Sequence, residues 1–331
     1  MEEKTKITRV VSLIRATGRL HIGHYEGVIK NWVELQGKYP SFFGVADWHA
    51  LTSRYEESKG IAQDTREIIV DLLACGLDPK KSTIFIQSQI KEHAELYLLL
   101  SMITPLGWLE RNPTYKEQLR ELEERGLQTY GLIGYPVLQA ADVLAYKGDG
   151  VPIGQDQLPH LELTREITRR FNKLYGNLFK EPTPIFTASP KVPGTDGRKM
   201  SKSYGNAIYL SDSAGEVEKK VRPMKTDIAR ITRKDPGNPE VCPVFDLHKI
   251  YTPDEPREWC AAGCRTAGIG CIDCKMVLLD HLQPFLEPIR EKRKEILKTP
   301  KKVDAIIHQG NEKAAEVAAK TLTEVRSAIG V

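Results

Sequence analysis

The chain has 331 residues, of which 40% are hydrophobic and 28% are charged, a composition typical of globular enzymes. Its length suggests about two domains. It contains no long apolar run, and the opening MEEKTKITRV lacks the apolar core of a signal peptide, so we expect a cytosolic protein without a membrane span. A net charge of +4 permits an acidic partner but does not require one.

The first hundred residues alternate between short apolar segments and amphipathic helices. Strands are predicted within 7–14, 41–51 and 82–88, and helices over 22–36, 58–76 and 93–103. In the second helix, Ser58 is the predicted N-cap and Gly76 the stop. This alternation produces a parallel sheet whose ligands bind beyond the carboxyl ends of the strands. We therefore expect the ligand-binding residues in the loops that follow the strands, RATGRLH, ADWHA and QSQ.

The rest of the chain changes character near residue 206. Before it lie two proline-bounded blocks, 135–146 and 151–176, and the second ends as a helix with Gly176 as its C-cap. After it the chain is charged and helical, and its last helix is predicted over 311–330. We expect an α/β, Rossmann-type nucleotide-binding fold with a parallel sheet, followed by a mostly α-helical C-terminal domain. The two domains are predicted to cover 1–205 and 206–331.

The first chemical motif is HIGH, His21 to His24, which follows the first strand and opens the first helix. A helix N-terminus offers free N–H groups and the positive end of a dipole, both of which suit phosphate. Gly23 lets a nucleotide approach the backbone, and the two histidines can donate to phosphate oxygens. Taken alone, the motif fits ordinary surface or capping residues equally well.

The second motif is KMSKS, Lys199 to Ser203, which follows the glycine-containing stretch GTDGR. Two lysines and two hydroxyls on such a loop form a mobile phosphate clamp. By itself the motif also fits a solvated basic loop. HIGH after the first strand and KMSKS at the end of the α/β region are, however, the signature pair of class I aminoacyl-tRNA synthetases.

With both motifs in place, the chain resembles the bacterial tryptophanyl-tRNA synthetases over almost its whole length. The stretches that carry the resemblance are TGRLHIGH, VADWHALTS, YPVLQAADVL, VPIGQDQ, HLELTREI and GRKMSKSYGN. The resemblance implies that the carboxylate of tryptophan attacks the α-phosphate of ATP, giving tryptophanyl-adenylate and pyrophosphate. The tryptophanyl group then passes to the 3′ end of tRNA(Trp).

Such a site needs no protein nucleophile, because it positions two anions and stabilises charge on the phosphates. The resemblance assigns this role to His21, His24, Lys199 and Lys202, with the loop of the two lysines closing over pyrophosphate. Mg²⁺ would bridge the phosphates, although no set of carboxylates stands out to hold it. The implied ATP-binding residues are Arg15, Ala16, Thr17, Gly23, His24, Gly154, Gln155, Asp156, Val192, Lys199, Met200, Ser201, Lys202 and Ser203.

Two of these segments need comment. The family pattern S-G-x-x-P-[ST]-G is broken here by Leu13 and Ala16, so the shape of the first nucleotide loop is expected to differ. Asp156, in the segment that begins at Gly154, is implied to accept hydrogen bonds from the ribose hydroxyls.

Asp142 matches the aspartate that receives the indole N–H in the family, with Tyr135 and His49 in matching places. Gln139 is assigned to the same pocket, although Tyr135 and Gln139 also fit the Y-x-x-x-Q pattern of tyrosyl-tRNA synthetases. Indole has one donor and no acceptor, so an ionised carboxylate is its complement, and phenylalanine would leave that carboxylate unpaired. We expect Asp142→Ala to abolish tryptophan activation and leave the fold intact. A tyrosyl-tRNA synthetase is the nearest alternative, because Asp142 would also accept a tyrosine hydroxyl; VADWHALTS and VPIGQDQ favour tryptophan.

Four cysteines, Cys242, Cys264, Cys271 and Cys274, follow the spacing C-x21-C-x6-C-x2-C. Four thiolates bind either Zn²⁺ or a [4Fe-4S] cluster, and zinc ribbons usually have two C-x2-C pairs, so this spacing favours the cluster. It also resembles the iron–sulfur variant of the family, which carries its cluster in the anticodon-binding domain. Zn²⁺ and free thiols remain alternatives, and Cys260 competes with Cys264 as a ligand. Cys75 is expected to be a buried structural thiol.

The resemblance also implies the partners: tRNA(Trp), read by the helical C-terminal part, and a second copy of the chain, docked through an insertion at about 100–190. The basic stretch 290–302 suits phosphate contact or is simply a solvated helix face. Two other functions stay open at this level, a non-catalytic iron–sulfur RNA-binding paralogue and a generic nucleotidyltransferase. Intact HIGH and KMSKS motifs argue against the first, and a tRNA-sized helical domain argues against the second.

Overall fold

The computed structural model describes residues 6–112, 129–186 and 191–331. Five strands form a fully parallel sheet in the order β3-β2-β1-β4-β5, which confirms the predicted Rossmann-type α/β architecture. The inner strand β2 is buried along its whole length, as expected for a sheet covered on both faces. The strands are β1 Val10–Arg15, β2 Ser41–Ala46, β3 Ser82–Ile86, β4 Gly150–Ile153 and β5 Thr183–Phe186.

Helices connect and cover these strands, and those after β5 form the helical C-terminal region. The helices before β5 are α1 Ile22–His24, α2 Lys30–Leu35, α3 Asp47–Arg54, α4 Ile61–Ala74, α5 Glu92–Ile103, α6 Leu106–Arg111, α7 Tyr130–Leu144 and α8 Leu158–Tyr175. Those after it are α9 Ala214–Val221, α10 Pro243–Tyr251, α11 Asp254–Arg265, α12 Cys271–Leu297 and α13 Pro300–Ile329. A π-helical turn, Tyr25–Ile29, joins α1 to α2. Within the described ranges, no helix combines the length and apolarity needed to cross a bilayer.

Two predicted helix starts are wrong, and two predicted stops are confirmed. Ser58 lies inside a 3₁₀ turn, Tyr55–Gly60, because the chain kinks before α4 and Gly60 takes the N-cap position. The last helix begins at Pro300, where the fixed φ of proline suits the first helical turn. Gly76 and Gly176 end their helices with φ of +106° and +103°, a region that favours glycine.

The sheet opens where the strand order reverses, between β1 and β4. β1 pairs with β2 over six residues, but it pairs with β4 only at Val10 and Gly150, near its start. The two strands therefore separate towards their carboxyl ends. A crevice at this point is the usual ligand site of an open parallel sheet.

The C-terminal region packs tightly on the parallel sheet. Helix α13 crosses edge strand β3 so closely that a Cβ on Gly310 would lie 1.8 Å from the carbonyl oxygen of Ile84. The next residue, Asn311, accepts a hydrogen bond from the Ile86 N–H at 2.9 Å, which satisfies a donor on the exposed edge. On α12, the Nε of Arg293 contacts the buried Asp71 carboxylate at 2.7 Å, and Asp71 also accepts from the Leu20 N–H.

We expect Gly310→Ala to lower the free energy of unfolding by about 1–3 kcal/mol or more, since the added methyl must displace backbone. Urea unfolding measures the change. Gly215→Ala is the matched control, because Gly215 also lies in a helix but has no neighbour within 4 Å of an added Cβ. The control should be neutral or slightly stabilising. Equal stability of the two variants would contradict the close packing of α13 on β3.

Candidate active site

The HIGH histidines cap their own helix. The His24 N–H donates to Nδ1 of His21 at 3.3 Å, and the His21 N–H donates to Nδ1 of His24 at 3.2 Å. Each ring uses Nδ1 as an acceptor, so its proton is on Nε2 and is available to a phosphate oxygen. Burial, reinforced by Lys202, lowers the pKa of His21 to about 3, and burial also holds the pKa of His24 well below its ordinary value. Both rings are thus neutral donors near neutral pH.

The KMSKS loop folds onto this helix start. The ammonium of Lys202 donates to the Gly18 carbonyl at 2.5 Å, and a Cβ on Gly23 would meet the Met200 side chain at 3.7 Å. Asn206 is buried and fixes the loop, because its side chain accepts from the Ser201 N–H and donates to the Lys199 carbonyl. The structure therefore brings together the two motifs that the sequence places far apart.

Lys202 sits in a charged cluster that the motif alone did not predict. Arg54 and Asp64 form an ion pair of 2.5 Å beside it. Burial lowers the pKa of Lys202 to about 8, and the carboxylates of Asp64 and Asp71 only partly oppose that shift. The buried ammonium of Lys202 pays a desolvation penalty, and a bound phosphate would offset that penalty.

The other predicted ATP-binding residues lie at the carboxyl ends of β1 and β4 and on or beside the KMSKS loop. Arg15 ends β1 and donates to the Ser53 hydroxyl at 2.8 Å, while Ala16 is fully buried and Thr17 turns the chain. Val192 is buried and pairs with the Met200 backbone. Gly154 follows β4 and opens a short 3₁₀ turn, Gln155–Gln157, which holds the predicted Asp156. Ser203 is exposed on the KMSKS loop.

A second group of side chains surrounds Asp142 on α7. Its buried carboxylate accepts from Nε2 of His49 at 2.9 Å, from Nδ1 of His93 at 2.7 Å, and from the amide of Gln87 at 2.7 and 2.9 Å. Burial alone would raise the pKa of Asp142, but the hydrogen bonds from His49 and His93 outweigh it and hold the pKa at about 2. A fixed, ionised acceptor thus lies in the interior, surrounded by buried hydrogen-bond donors.

Tyr135 and Gln139 lie on the same helix. The Tyr135 hydroxyl is 2.6 Å from Nε2 of His160, and its ring meets His49 edge-on at 6.1 Å between centroids. Gln139 is half-buried. Three of the four predicted pocket residues, Asp142, Tyr135 and His49, therefore form one connected group.

Sequence reasoning missed two members of this pocket, Gln87 and His93. Both are fully buried, and Nε2 of His93 continues the network to the Tyr146 hydroxyl at 2.7 Å. Gln87 begins QSQ, the loop after β3 that the strand–helix pattern had marked. The position of Gln87 after a strand could therefore be read from the sequence, but its contact with Asp142 could not.

Comparison with known proteins identifies the family. A family model described as tRNA synthetases class I (W and Y) matches residues 3–287. The chain belongs to this class I synthetase family. It is 53% identical to "Tryptophan--tRNA ligase" of Thermotoga maritima, over 98% of this chain and 99% of that protein, and 46% identical to the same enzyme of Aquifex aeolicus, over 98% and 100%.

Solved structures of class I synthetases agree with this assignment. The tryptophanyl-tRNA synthetase of Campylobacter jejuni, complexed with ADP and tryptophan, superimposes with a TM-score of 0.87 at 33% identity, covering 98% of this chain and 100% of that one. The tyrosyl-tRNA synthetase of Archaeoglobus fulgidus, at 22% identity and a TM-score of 0.67, shares the fold alone.

The four predicted cysteines of this class I synthetase line one small cavity in the helical C-terminal region, together with Thr226, Asp227, Arg230 and Val244. Two buried cations lie close to them: Arg230, whose Nη1 is 3.9 Å from the Cys264 sulfur, and Lys275, whose ammonium donates to the Arg222 carbonyl at 2.7 Å. Buried cations beside clustered thiols match the charge of thiolates that hold a metal.

In the part of the chain that the structure describes, no three sulfurs of this cavity lie within 4.8 Å of one another. Among the described residues, the one set of three ligating groups whose atoms all lie within 4.8 Å is His248, Cys260 and Cys274. The cavity cysteines are therefore more spread out than a zinc ion with Zn–S bonds of about 2.3 Å would hold them. Cys260 packs against Cys274 and does not line the cavity, which favours Cys264 as the fourth cavity ligand.

Proposed function

We infer that the chain is a tryptophan–tRNA ligase, which activates L-tryptophan with ATP and transfers it to tRNA(Trp). The observation that carries this conclusion is the ionised Asp142 carboxylate in a buried pocket, in a chain 53% identical to "Tryptophan--tRNA ligase" over 98% of its length. The indole N–H is a donor without an acceptor, and Asp142 complements it. Tyrosyl-tRNA synthetase activity is the alternative from the sequence, and the matching family model covers both enzymes. The full-length relatives are tryptophan–tRNA ligases, whereas the tyrosyl enzyme shares the fold alone.

The pocket suggests how tryptophan is received. Each carboxylate oxygen of Asp142 has about two lone-pair directions. Gln87 contacts both oxygens, so it can release one and keep the other when the indole N–H arrives. His49 and His93 then hold the carboxylate in place from either side. We assign Tyr135 and Gln139 to the same pocket, where Tyr135 is positioned by its contact with His160.

Adenylation needs charge stabilisation more than a protein base or nucleophile. We propose that His21 and His24 donate Nε2–H to ATP phosphate oxygens at the helix start, while Lys199 and Lys202 neutralise the β- and γ-phosphates. Mg²⁺ would arrive with ATP and lower the charge on its phosphates. Gly154 and Asp156 are assigned to the ribose, and the loop from Arg15 to Thr17 to the same nucleotide.

The direct test is ATP–pyrophosphate exchange. We expect exchange that depends on tryptophan and is at least about a thousandfold weaker with tyrosine, because a polar pocket discriminates strongly against a poorly matched partner. Aminoacylation of tRNA(Trp) tests the second step. Protein that binds RNA but shows no exchange would favour the non-catalytic paralogue.

We propose that the chain works as a homodimer. Leu98, Met102, Leu106 and Tyr130, on α5 to α7, are 52–73% exposed although large and apolar. Such a patch is typical of a surface that another copy covers. Sedimentation equilibrium should give twice the chain mass of 37.3 kDa, and a single-chain mass for Met102→Asp. Wild-type protein that sediments as a monomer would contradict the proposal.

We propose that the part of the chain over 1–205 is the catalytic domain and the part over 206–331 reads the tRNA, with the basic stretch 290–302 contacting phosphate.

We further propose that Cys242, Cys264, Cys271 and Cys274 hold a [4Fe-4S] cluster, with Zn²⁺ as the alternative ion. Support comes from the shared cavity, the spread of the sulfurs and the two buried cations. The cluster would brace the domain, because it ties Cys242 before α10 to the start of α12.

Metal analysis tests the cluster. Anaerobically purified protein should be coloured and contain about four irons per chain. Cys271→Ser should lose both, whereas Cys75→Ser should keep both, because Cys75 lies in the catalytic part at the end of α4. Colourless wild-type protein without iron would contradict the cluster.

A further inference from the structure

Three side chains at the edge of the four-cysteine cavity form a second ligand set that overlaps the first at Cys274. His248 on α10, Cys260 on α11 and Cys274 on α12 place their ligating atoms within 4.8 Å of one another. His248 and Cys260 are fully buried, and Cys274 is half-buried. They contact one another, His248 through Cys274 and Cys274 through Cys260, so one ion placed among them would meet all three ligating atoms.

The imidazole of His248 is oriented as a metal ligand. Its Nε2 lies 3.3 Å from the Cys274 sulfur, and its Nδ1 lies 2.9 Å from the hydroxyl of the buried Thr252. Metal-binding histidines usually donate the N–H of the other ring nitrogen to an oxygen, and Thr252 supplies that oxygen. Nε2 also lies 3.1 Å from the Cys274 carbonyl oxygen, and a metal on Nε2 would require the ring proton to be on Nδ1, where Thr252 can accept it.

We propose that His248, Cys260 and Cys274 form a second metal site, suited to Zn²⁺. Two thiolates and one imidazole are a usual zinc ligand set, and a tetrahedral ion has one further position for water. The cavity that Cys274 also lines gives room for that water. Binding releases the protons of the two thiols.

This site competes with the proposed cluster but does not depend on it. Cys274 is the single residue that belongs to both sets, so a chain with zinc on His248 and Cys260 has three cysteines left in the cavity. Zinc and the cluster therefore exclude each other. Cys260 thus has a role that does not require it to replace Cys264.

The experiment uses the full-length chain freed of metal under reducing, anaerobic conditions, in a Cys271→Ser background that cannot complete the four-cysteine site. Titration with Co²⁺, then displacement by Zn²⁺, should show one ion per chain with thiolate-to-cobalt charge-transfer bands. Adding Cys260→Ser should weaken Zn²⁺ binding at least about a hundredfold. Adding Cys264→Ser, the matched control on the same helix, should leave it unchanged.

A second variant guards against misfolding. His248→Gln should also lose the ion, and circular dichroism with tryptophan-dependent exchange should show that each variant stays folded. Zinc binding that survives Cys260→Ser, or is lost with Cys264→Ser, overturns the proposal in favour of the cavity cysteines. Failure of the Cys271→Ser chain to bind zinc also overturns it, and His248 is then a hydrogen-bonding core residue. None of these outcomes bears on whether the wild-type chain activates tryptophan.

Discussion

Replacement of Asp142 by asparagine should lower kcat/KM for tryptophan in ATP–pyrophosphate exchange by about a thousandfold or more. The carboxylate accepts from His49, Gln87 and His93 and is left ionised by them, so it offers only acceptors to the indole N–H. An asparagine puts an NH₂ group where one of those donors already points. The variant therefore loses the charge and gains a donor–donor clash.

Asp142 also accepts hydrogen bonds that stabilise the fold, so asparagine is a better test substitution than alanine. Asp142→Ala, expected from sequence to leave the fold intact, would leave three buried side chains without their acceptor, each at a cost of about 1–3 kcal/mol. Asn keeps the size of the side chain and part of its bonding. For this reason, loss of activity in Asp142→Ala alone would not separate catalysis from stability.

A matched control makes the separation. Asp149 is an equally buried carboxylate, but it accepts from Thr8 and Arg9 at the opposite end of β1. Asp149→Asn should lose stability in urea unfolding yet keep its kcat/KM for tryptophan. If Asp142→Asn stays within about threefold of the wild type, Asp142 is not the indole acceptor.

The second large effect is a pH dependence set by Lys202. Burial lowers its pKa to about 8, so the side chain is cationic below that pH and neutral above it. Only the cation stabilises phosphate charge. With tryptophan saturating and ATP limiting, kcat/KM for ATP should fall about tenfold per pH unit above pH 8, since this parameter reports the free enzyme.

Lys202→Arg should abolish that fall, because a guanidinium stays charged throughout this range. Lys202→Met should be slower by about a hundredfold or more at every pH and flat across it. Lys220→Arg is the control, because Lys220 lies on α9 and bonds to Asp212. A fall above pH 8 that persists in Lys202→Arg would assign the titration to another group.

The fold and the motifs could be predicted from local pattern. Strands β1 to β3 were visible as short apolar runs, and their alternation with helices fixed a parallel sheet. The neighbourhood of Asp142 could not be predicted. It arises where the loop after β3 meets α7, and Gln87 and Asp142 are far apart in sequence, so no periodicity links them. The predicted start of α4 was wrong because local sequence does not show tertiary kinks. Ser58 is a residue type that often caps helices, but here it lies inside a kinked 3₁₀ turn that precedes the helix.

The cysteines show the same limit. Spacing selected four of the six, but helical geometry decides that Cys260 faces His248 while Cys264, one turn later on α11, faces the cavity. A sequence spacing of four residues suggests a shared face. The packing of α11 against its neighbours sets the direction of each side chain. It therefore decides that the Cys260 sulfur meets His248 while the Cys264 sulfur meets the cavity.

The contact of Arg293 with Asp71 has a thermodynamic consequence. The Asp71 carboxylate accepts a hydrogen bond from the N–H of Leu20, next to HIGH, and a second one from Arg293 on α12. Breaking a buried pair of this kind costs about 3–5 kcal/mol, so a shift of α12 and a shift of the HIGH loop are linked. Because α12 starts at Cys271 and runs about 40 Å, it couples the cysteine end of the molecule to the nucleotide end. Linkage is reciprocal, so a ligand that shifts α12 and a ligand that shifts the HIGH loop change each other's affinity by the same factor.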